Sequence, residues 1–183
     1  MGVNIMLALG SMIMFSTFLG SSNRVIIGNS QIASQNEYYI AALSYGQSVI
    51  EEAKTKQFQG SIIVGSGPGA TKVKSLLLGY ETTSEKISYV DTMTALGFAS
   101  EVKFDDVDDY DGYIRGVNSP RAEGYTMVTS VNWVDETSPK VISATPTDFK
   151  VMVVNITSPY FPKIEKDGLT YQDTLKLSYV FAK

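Results

Sequence analysis

The chain of 183 residues is long enough for one domain and one long additional helix. Its formal net charge of -4 and its lack of basic runs argue against nucleic acid as a partner, because phosphate binding needs clustered lysine and arginine. Cysteine and histidine are both absent, which excludes disulfides and thiolate metal sites and removes the commonest general base. We therefore predict that the protein is not an enzyme.

The first predicted element is a long helix over residues 3–57. No charged residue precedes Arg24, and about 20 mostly apolar residues are enough to cross a bilayer as a helix. From Asn29 onward polar residues mix with apolar ones at helical spacing, which is typical of an amphipathic helix. No proline occurs before Pro68, and Gly60 is the predicted terminator.

The apolar start differs from a secretory signal peptide. No lysine or arginine precedes the run, and the run continues into a helix instead of stopping. Two interpretations stay open: a retained membrane anchor, or a mature chain whose leader is already missing from the sequence.

Residues 60–100 carry weaker patterns. We interpret the sequence Gly-Ser-Gly-Pro-Gly-Ala at residues 65–70 as a turn-rich linker, because the Gly-Lys-Ser/Thr ending of a phosphate loop is missing. Residues 76–78 and 87–90 are predicted to form short strands or turns of helix.

Residues 104–112, which we call the acidic turn, contain five aspartates that repel one another unless a cation or backbone donors intervene. This spacing of aspartate with glycine favours a turn. We favour an acidic surface turn whose side chains cap backbone amides. The alternative is a calcium site, since calcium takes six to eight oxygen ligands, although the EF-hand pattern is not met. The candidate ligands are Asp105, Asp106, Asp108, Asp109 and Asp111.

Three strands are predicted in the last third of the chain, at residues 124–134, 149–157 and 174–181. The second is apolar on much of both faces, which favours a central position. Short connections suggest an antiparallel meander, and the amphipathic half of the helix is its natural cover. The helix residues predicted to face the sheet are Leu43, Gly46, Ile50 and Ala53.

These elements predict an α+β fold in which a long N-terminal helix packs on a C-terminal antiparallel sheet. The helix covers residues 1–58, with 1–24 as a membrane or filament-core segment and 25–58 as the amphipathic half that packs on the sheet. A globular, β-rich head covers residues 59–183.

Two stretches resemble the type IV pilin and pseudopilin family. The sequence Ala-Leu-Ser-Tyr-Gly-Gln-Ser-Val-Ile-Glu-Glu-Ala at residues 42–53 is similar to the A-x-x-x-A-Q-S-x-I-E-E stretch of many minor pilins and pseudopilins. The acidic turn is similar to an FDDVDDY-(N/H)-G element of pilin-like proteins. With Met1 as the first mature residue, Ile5 replaces the family's glutamate, and Ser22 replaces a proline that commonly kinks the helix.

The resemblance implies a structural subunit of an extracellular helical filament at the cell surface. Such subunits reside in the inner membrane, meet the assembly machinery there, lose a short leader, are often N-methylated, and then polymerise with copies of themselves. A calcium site is known in some family members. The residues implied in the filament core are Met1, Ile5, Leu9, Met12, Ile13, Phe15, Phe18 and Leu19.

Three alternatives stay open. The first is a pseudopilin of a type II secretion system, which forms a short periplasmic assembly. The second is a single-pass membrane protein with an outward β domain, because any anchor helix can look like a pilin start. The third is an enzyme with a carboxylate or tyrosine site, which only the aspartate cluster supports.

Overall fold

The computed structural model describes residues 2–64, 71–74, 78, 84–120, 122–166 and 168–183. Met1, the predicted linker at residues 65–70 and most of the predicted element at residues 76–78 lie outside these ranges. The chain divides into two compact units, of which the first ends at Tyr38 and the second comprises Tyr39–Lys183.

One continuous helix, α1 (Gly2–Lys54), contributes to both units, as the unbroken pattern predicted. It ends before the predicted residue Gln57. The amides of Thr55 and Lys56 bond to carbonyls three residues back, which tightens the last turn. Gln57 then donates to the carbonyl of Asp105 and accepts from the amide of Val107, both at 3.0 Å. The chain therefore leaves the helix because it pairs with the acidic turn.

The second unit contains a five-stranded sheet in the order β3-β4-β5-β6-β9. Its strands are β3 (Asp91–Thr92), β4 (Ile114–Val117), β5 (Tyr125–Trp133), β6 (Phe149–Thr157) and β9 (Thr174–Ala182). Two separate antiparallel pairs are β1 (Ser61–Val64) with β2 (Thr71–Lys74), and β7 (Lys163–Lys166) with β8 (Leu169–Gln172). A short helix, α2 (Ala99–Lys103), and a 3-10 turn (Asp108–Tyr110) complete the described elements.

The three predicted strands are confirmed as β5, β6 and β9, which are adjacent and antiparallel. Met152 of β6 lies between Val131 of β5 and Tyr179 of β9, so β6 has a neighbour on each side. The sequence patterns did not predict β3 and β4, whose parallel pairing makes the sheet mixed. Residues 87–90 are irregular and form neither of the predicted elements.

The core of the second unit lies between one face of the sheet and the last turns of α1, which confirms the α+β arrangement. Alternate residues of β5 and β6 are buried, including Met127, Val131, Met152 and Ile156. A Cβ placed on Gly46 of α1 would lie 2.5 Å from the Cδ1 atoms of both Ile156 and Leu177. Glycine at this position therefore allows the helix to approach the sheet closely.

The packing face of α1 differs from the predicted one. Gly46, Ile50 and Ala53 are buried, but Leu43 is 38% exposed. Ala42 and Val49 are fully buried instead, and the positions 42, 46, 49 and 53 follow the helical period more closely than a face through residue 43. The observed packing face of α1 is therefore rotated about the helix axis, by part of a turn, from the predicted one.

The packed part of α1 is also shorter than predicted. The ring of Tyr39 stacks on Phe161 with centroids 4.5 Å apart, and Val49 and Ala53 further along the helix are fully buried. Residues 25–37 were expected to pack on the sheet, yet all except Gly28 are exposed. Within the second unit, α1 covers the sheet from residue 39 onward.

Candidate functional site

Residues 3–27 of α1, which we call the apolar segment, expose their side chains around the whole helix. Among the predicted filament-core residues, exposure ranges from 51% for Leu19 to 73% for Met12, and Met1 lies outside the described residues. The helix is long and apolar enough to cross a membrane, a property that a signal sequence near an N-terminus can share. The other members of the predicted set are Ile5, Leu9, Ile13, Phe15 and Phe18, all exposed.

Two hydroxyl groups in the apolar segment find hydrogen-bond partners within the helix. The hydroxyl of Ser11 donates to the carbonyl of Ala8, and that of Thr17 donates to the carbonyl of Met14, both at 2.9 Å. Such local bonds let hydroxyl side chains enter an apolar environment without losing a hydrogen bond. Gly10 and Gly20 leave open space beside the backbone. The surface is therefore suited to contact with lipid or with another apolar helix.

The acidic turn is not the surface turn that its composition predicted. Asp106, Asp108 and Asp109 are fully buried, whereas Asp105 is exposed and Asp111 is half-buried. Burial of a carboxylate is costly unless it is paired or accepts hydrogen bonds. The interactions of these three side chains therefore decide whether the turn is stable.

Backbone amides supply most of those interactions, as the capping interpretation predicted. Asp106 Oδ1 accepts from the amides of Asp108, at 2.7 Å, and Asp109, at 3.2 Å, and its Oδ2 accepts from the amide of Gly60. Asp109 Oδ2 accepts from the amides of Asp105, at 3.0 Å, and Asp106, at 3.4 Å. The two carboxylates thus fix the turn and anchor the chain that follows α1.

Asp108 instead meets a buried cation. Its Oδ1 lies 2.5 Å from the ammonium nitrogen of Lys150, and both side chains are fully buried. The same nitrogen donates to the carbonyl of Phe58 at 2.6 Å and lies 4.3 Å from the ring centroid of Trp133. Lys150 therefore links the central strand β6 to the acidic turn and to the segment after α1.

The five predicted calcium ligands do not converge on one point. Carboxylate oxygens of Asp105, Asp106 and Asp109 lie within 4.8 Å of one another. Asp108 turns to Lys150, and Asp111 Oδ1 accepts from the amide of Val131 at 2.9 Å. Calcium would need six to eight oxygens, whereas both oxygens of Asp106 already accept backbone amides. Three of the five predicted ligands therefore come together, and each oxygen of Asp106 already uses part of its accepting capacity on a backbone amide.

Burial raises the pKa values of the three enclosed carboxyl groups. The pKa of Asp108 rises to about 6, because loss of solvent outweighs the attraction of Lys150. The pKa of Asp109 rises to about 7, through burial and the charge of Asp106, against the effect of the amide of Asp105. Burial also raises the pKa of Asp106. Asp109 Oδ1 has no hydrogen-bond partner among the described residues, which fits a carboxyl that retains its proton near neutral pH.

A second buried polar network joins the two stretches that carry the family resemblance. The hydroxyl of Tyr110 in the acidic turn donates to Glu52 Oε1 at 2.7 Å, and Arg115 pairs with Glu52 Oε2. Arg115 also donates to Tyr113 and to Ser100 at 2.8 Å. Glu52 of the first stretch therefore contacts a tyrosine of the second, although 58 residues separate them.

Asp91 extends this network to α2. Its two carboxylate oxygens accept from the amides of Ala99 and Ser100 at 3.1 Å, so it caps the helix start. The hydroxyl of Tyr113 donates to Asp91 Oδ2 at 2.8 Å. The guanidinium carbon of Arg115 lies 3.9 Å from the ring centroid of Phe98. These contacts fix the loops beside β3 and β4.

The sequence patterns did not predict that Lys150 and Arg115 are buried cations, nor that Glu52 and Asp91 bind within the head. For Lys150 a signal was present, because it shares its face of the predicted strand with Met152, Val154 and Ile156. A lysine at a buried strand position needs an anion, and the acidic turn is the densest group of anions in the sequence. Arg115 lies in a stretch that carried no strand prediction, so no comparable signal was available.

The comparisons with known proteins add no relative: no family model, curated protein or solved structure matches this chain.

Proposed function

We propose that this protein is a structural subunit of an extracellular type IV pilus-like filament, which polymerises through the apolar segment of α1. The observation that carries the proposal is the exposure of the large apolar side chains of the apolar segment, from 51% to 79%, in a chain whose second unit has its own core. Before assembly, the same segment holds the subunit in the inner membrane, where the assembly machinery acts on it.

The size of the exposed surface requires a partner. Burying one large aliphatic or aromatic side chain is worth about 1.5–3 kcal/mol, and the segment exposes such side chains on every side. A single partner helix covers only one side. Complete burial therefore needs either lipid or several copies of the chain.

Exchange of lipid for protein depends on packing, because lipid tails are as apolar as leucine. The open positions beside Gly10 and Gly20 allow close approach of another helix, which favours helix association in apolar surroundings. The hydroxyl groups of Ser11 and Thr17 are already bonded within α1, so they do not oppose that approach.

Continuity of α1 supports the filament over a cleaved signal sequence. The helix continues from the apolar segment to Ala42, Val49 and Ala53, which are fully buried in the second unit. A single-pass membrane protein with an outward β domain shares this helix and is the alternative that the experiment must separate.

The test is negative-stain microscopy of material sheared from cells that express the full chain, with intact-mass spectrometry of the subunit. We expect long filaments that contain this subunit. A matched chain that lacks residues 1–23 should give a soluble monomer and no filaments. Filaments that persist after this deletion would contradict polymerisation through the apolar segment. A subunit found only in membranes would favour the single-pass protein, and short periplasmic assemblies would favour a pseudopilin.

A further inference from the structure

The apolar segment contains one cationic side chain, Arg24, which would need a charged partner if another molecule packed around it. Arg24 is the first charged residue of the chain and is exposed. It forms no ion pair with any residue that the structure describes. The three residues that follow it, Val25, Ile26 and Ile27, are 54–66% exposed. Packing of another helix against these residues would enclose the guanidinium group in apolar surroundings.

An enclosed arginine needs an anion, because an unpaired buried charge costs several kcal/mol. Glu37 is the first carboxylate in the sequence, and the next is Glu51. Glu37 is exposed. A carboxylate accepts about four hydrogen bonds, so a contact within its own chain does not prevent it from binding a guanidinium group.

Arg24 and Glu37 cannot meet within one chain. The two positions are thirteen residues apart, which is about 20 Å along a helix and about 220° around it, so the two side chains lie on nearly opposite faces. A helical polymer is built from heterologous contacts, in which one face of a copy meets a different face of the next copy. Residues on opposite faces of one helix are therefore suited to meet between neighbouring copies.

We propose that Arg24 of one copy pairs with Glu37 of a neighbouring parallel copy, and that the pair sets an axial offset of about 20 Å between the two helices. This inference rests on the proposed function, since it identifies the partner of the apolar segment as a second copy of the chain. The pair also explains why a charge is placed beside an otherwise apolar surface.

The position of Arg24 also suits the subunit before assembly. Residues 2–23 span about 33 Å as a helix, which is close to the hydrocarbon thickness of about 30 Å. Arg24 then lies at the membrane surface, where lipid phosphates can bind it. Assembly replaces the phosphate with Glu37, so the charge stays paired in both states.

Charge exchange in the full chain tests the pair. We expect Arg24→Glu and Glu37→Arg each to lower the yield of sheared filaments, relative to total subunit, at least tenfold. The double variant Arg24→Glu/Glu37→Arg should recover to within about threefold of the unmodified chain, because it restores the pair with reversed sign. Gln31→Glu and Gln35→Arg place the same charges at nearby exposed positions and should have less effect.

Absence of cysteine from the chain allows a second, geometric test. In filaments of the variant Arg24→Cys/Glu37→Cys, a short bismaleimide should join residue 24 of one copy to residue 37 of the next and give a ladder of multimers. The control variant Arg24→Cys/Gln31→Cys should give no ladder. Either single-cysteine variant should give at most a trace of dimer.

Three outcomes overturn the pair. If the single charge variants assemble like the unmodified chain, or the double variant does not recover, the pair is wrong while the filament stands. If the control cysteine pair gives a ladder and the 24/37 pair does not, the offset is wrong. If the unmodified chain forms no filaments at all, the proposed function fails and the pair fails with it.

Discussion

The two units of the chain place their side chains in opposite ways. In the first unit apolar side chains such as Met12 and Phe18 face the surroundings. In the second unit charged side chains are enclosed, among them Asp106, Asp108 and Lys150. Exposed apolar side chains and enclosed unpaired charges are both unfavourable in water. The first kind favours contact with other apolar groups, and the second requires a charged or hydrogen-bonding partner.

The second unit meets this requirement internally. Lys150 pairs with Asp108, Arg115 pairs with Glu52, and Asp106 accepts backbone amides. The apolar segment of the first unit has no covering residues in the described chain. The charges of the second unit are thus paired within the described residues, whereas the apolar side chains of the first unit are exposed there.

Two matched substitutions in α1 give the largest expected effect and test where the enclosed part begins. Val49→Asp puts a carboxylate into a fully buried site without a partner, and we expect the head not to accumulate in folded form. Leu43→Asp is on the same helix but partly exposed, so its cost should stay near 1 kcal/mol. The yield of folded full chain in detergent measures both variants, and thermal unfolding measures the cost of Leu43→Asp. Equal losses would show that the rotated packing face is wrong.

Removing the buried cation should have the next largest effect. Lys150→Met leaves Asp108 without its partner and the carbonyl of Phe58 without a donor, at a cost of about 3–5 kcal/mol at pH 8. At pH 5 the loss should be smaller, because Asp108, whose pKa is about 6, is then protonated. The double variant Lys150→Met/Asp108→Asn should recover much of the stability. If Lys150→Met is as stable as the unmodified chain, the pairing of Lys150 with Asp108 does not stabilise the head.

The enclosed carboxyl of Asp109 should make the head less stable as pH rises. Its pKa is about 7 when folded and about 3.9 when unfolded, so the folded state binds more protons between these values. Stability therefore falls from about pH 4 to pH 7 and then levels off. Asp109→Asn should raise the free energy of unfolding at pH 8 by about 1–3 kcal/mol and have little effect at pH 4.

The control for this pH dependence is Asp148→Asn. Asp148 forms an exposed ion pair with Lys183 at 2.9 Å, which contributes little in water. Denaturant unfolding of both variants from pH 4 to pH 8 measures the difference. If the stability of Asp109→Asn falls with pH as steeply as that of the unmodified chain, the carboxyl of Asp109 is not the cause of the pH dependence.

The smallest expected effect concerns the link between α1 and the acidic turn. Tyr110→Phe removes the hydrogen bond to Glu52 and leaves the ring in place, at a cost of about 1 kcal/mol. Tyr171→Phe, at a half-exposed tyrosine of β8, is the matched control and should change stability less. Thermal unfolding of the two variants checks the difference. Similar small losses in both would mean that the buried bond adds no stability.

Much of the fold followed from periodic patterns. The uncharged start and the absence of proline before Pro68 gave the length of α1, and alternation gave β5, β6 and β9. The observed packing face of α1 is centred on Ala42 and Val49 and not on Leu43. The sequence pattern did not separate them, because an apolar residue at the edge of a buried face has the same hydrophobicity as one at its centre. The two-residue strand β3 is too short to carry a pattern.

The acidic turn shows where sequence reasoning failed. Amide capping was predicted from the turn-forming spacing of its aspartates, and the bonds to Asp106 show it. Burial was not predicted, because local composition favours solvent for any group of carboxylates. The residues that enclose and pair the turn, Lys150 and Glu52, are distant in sequence, so only the tertiary structure brings them together.

The proposed filament requires copies of this chain to bury their apolar segments against one another. A helical reconstruction of sheared filaments tests it most directly, because it locates α1 relative to the filament axis. We expect parallel α1 helices bundled around the axis, with residues 3–27 in mutual contact and the heads on the outside. Filaments held together by the heads, with the apolar segments outside the core, would contradict it.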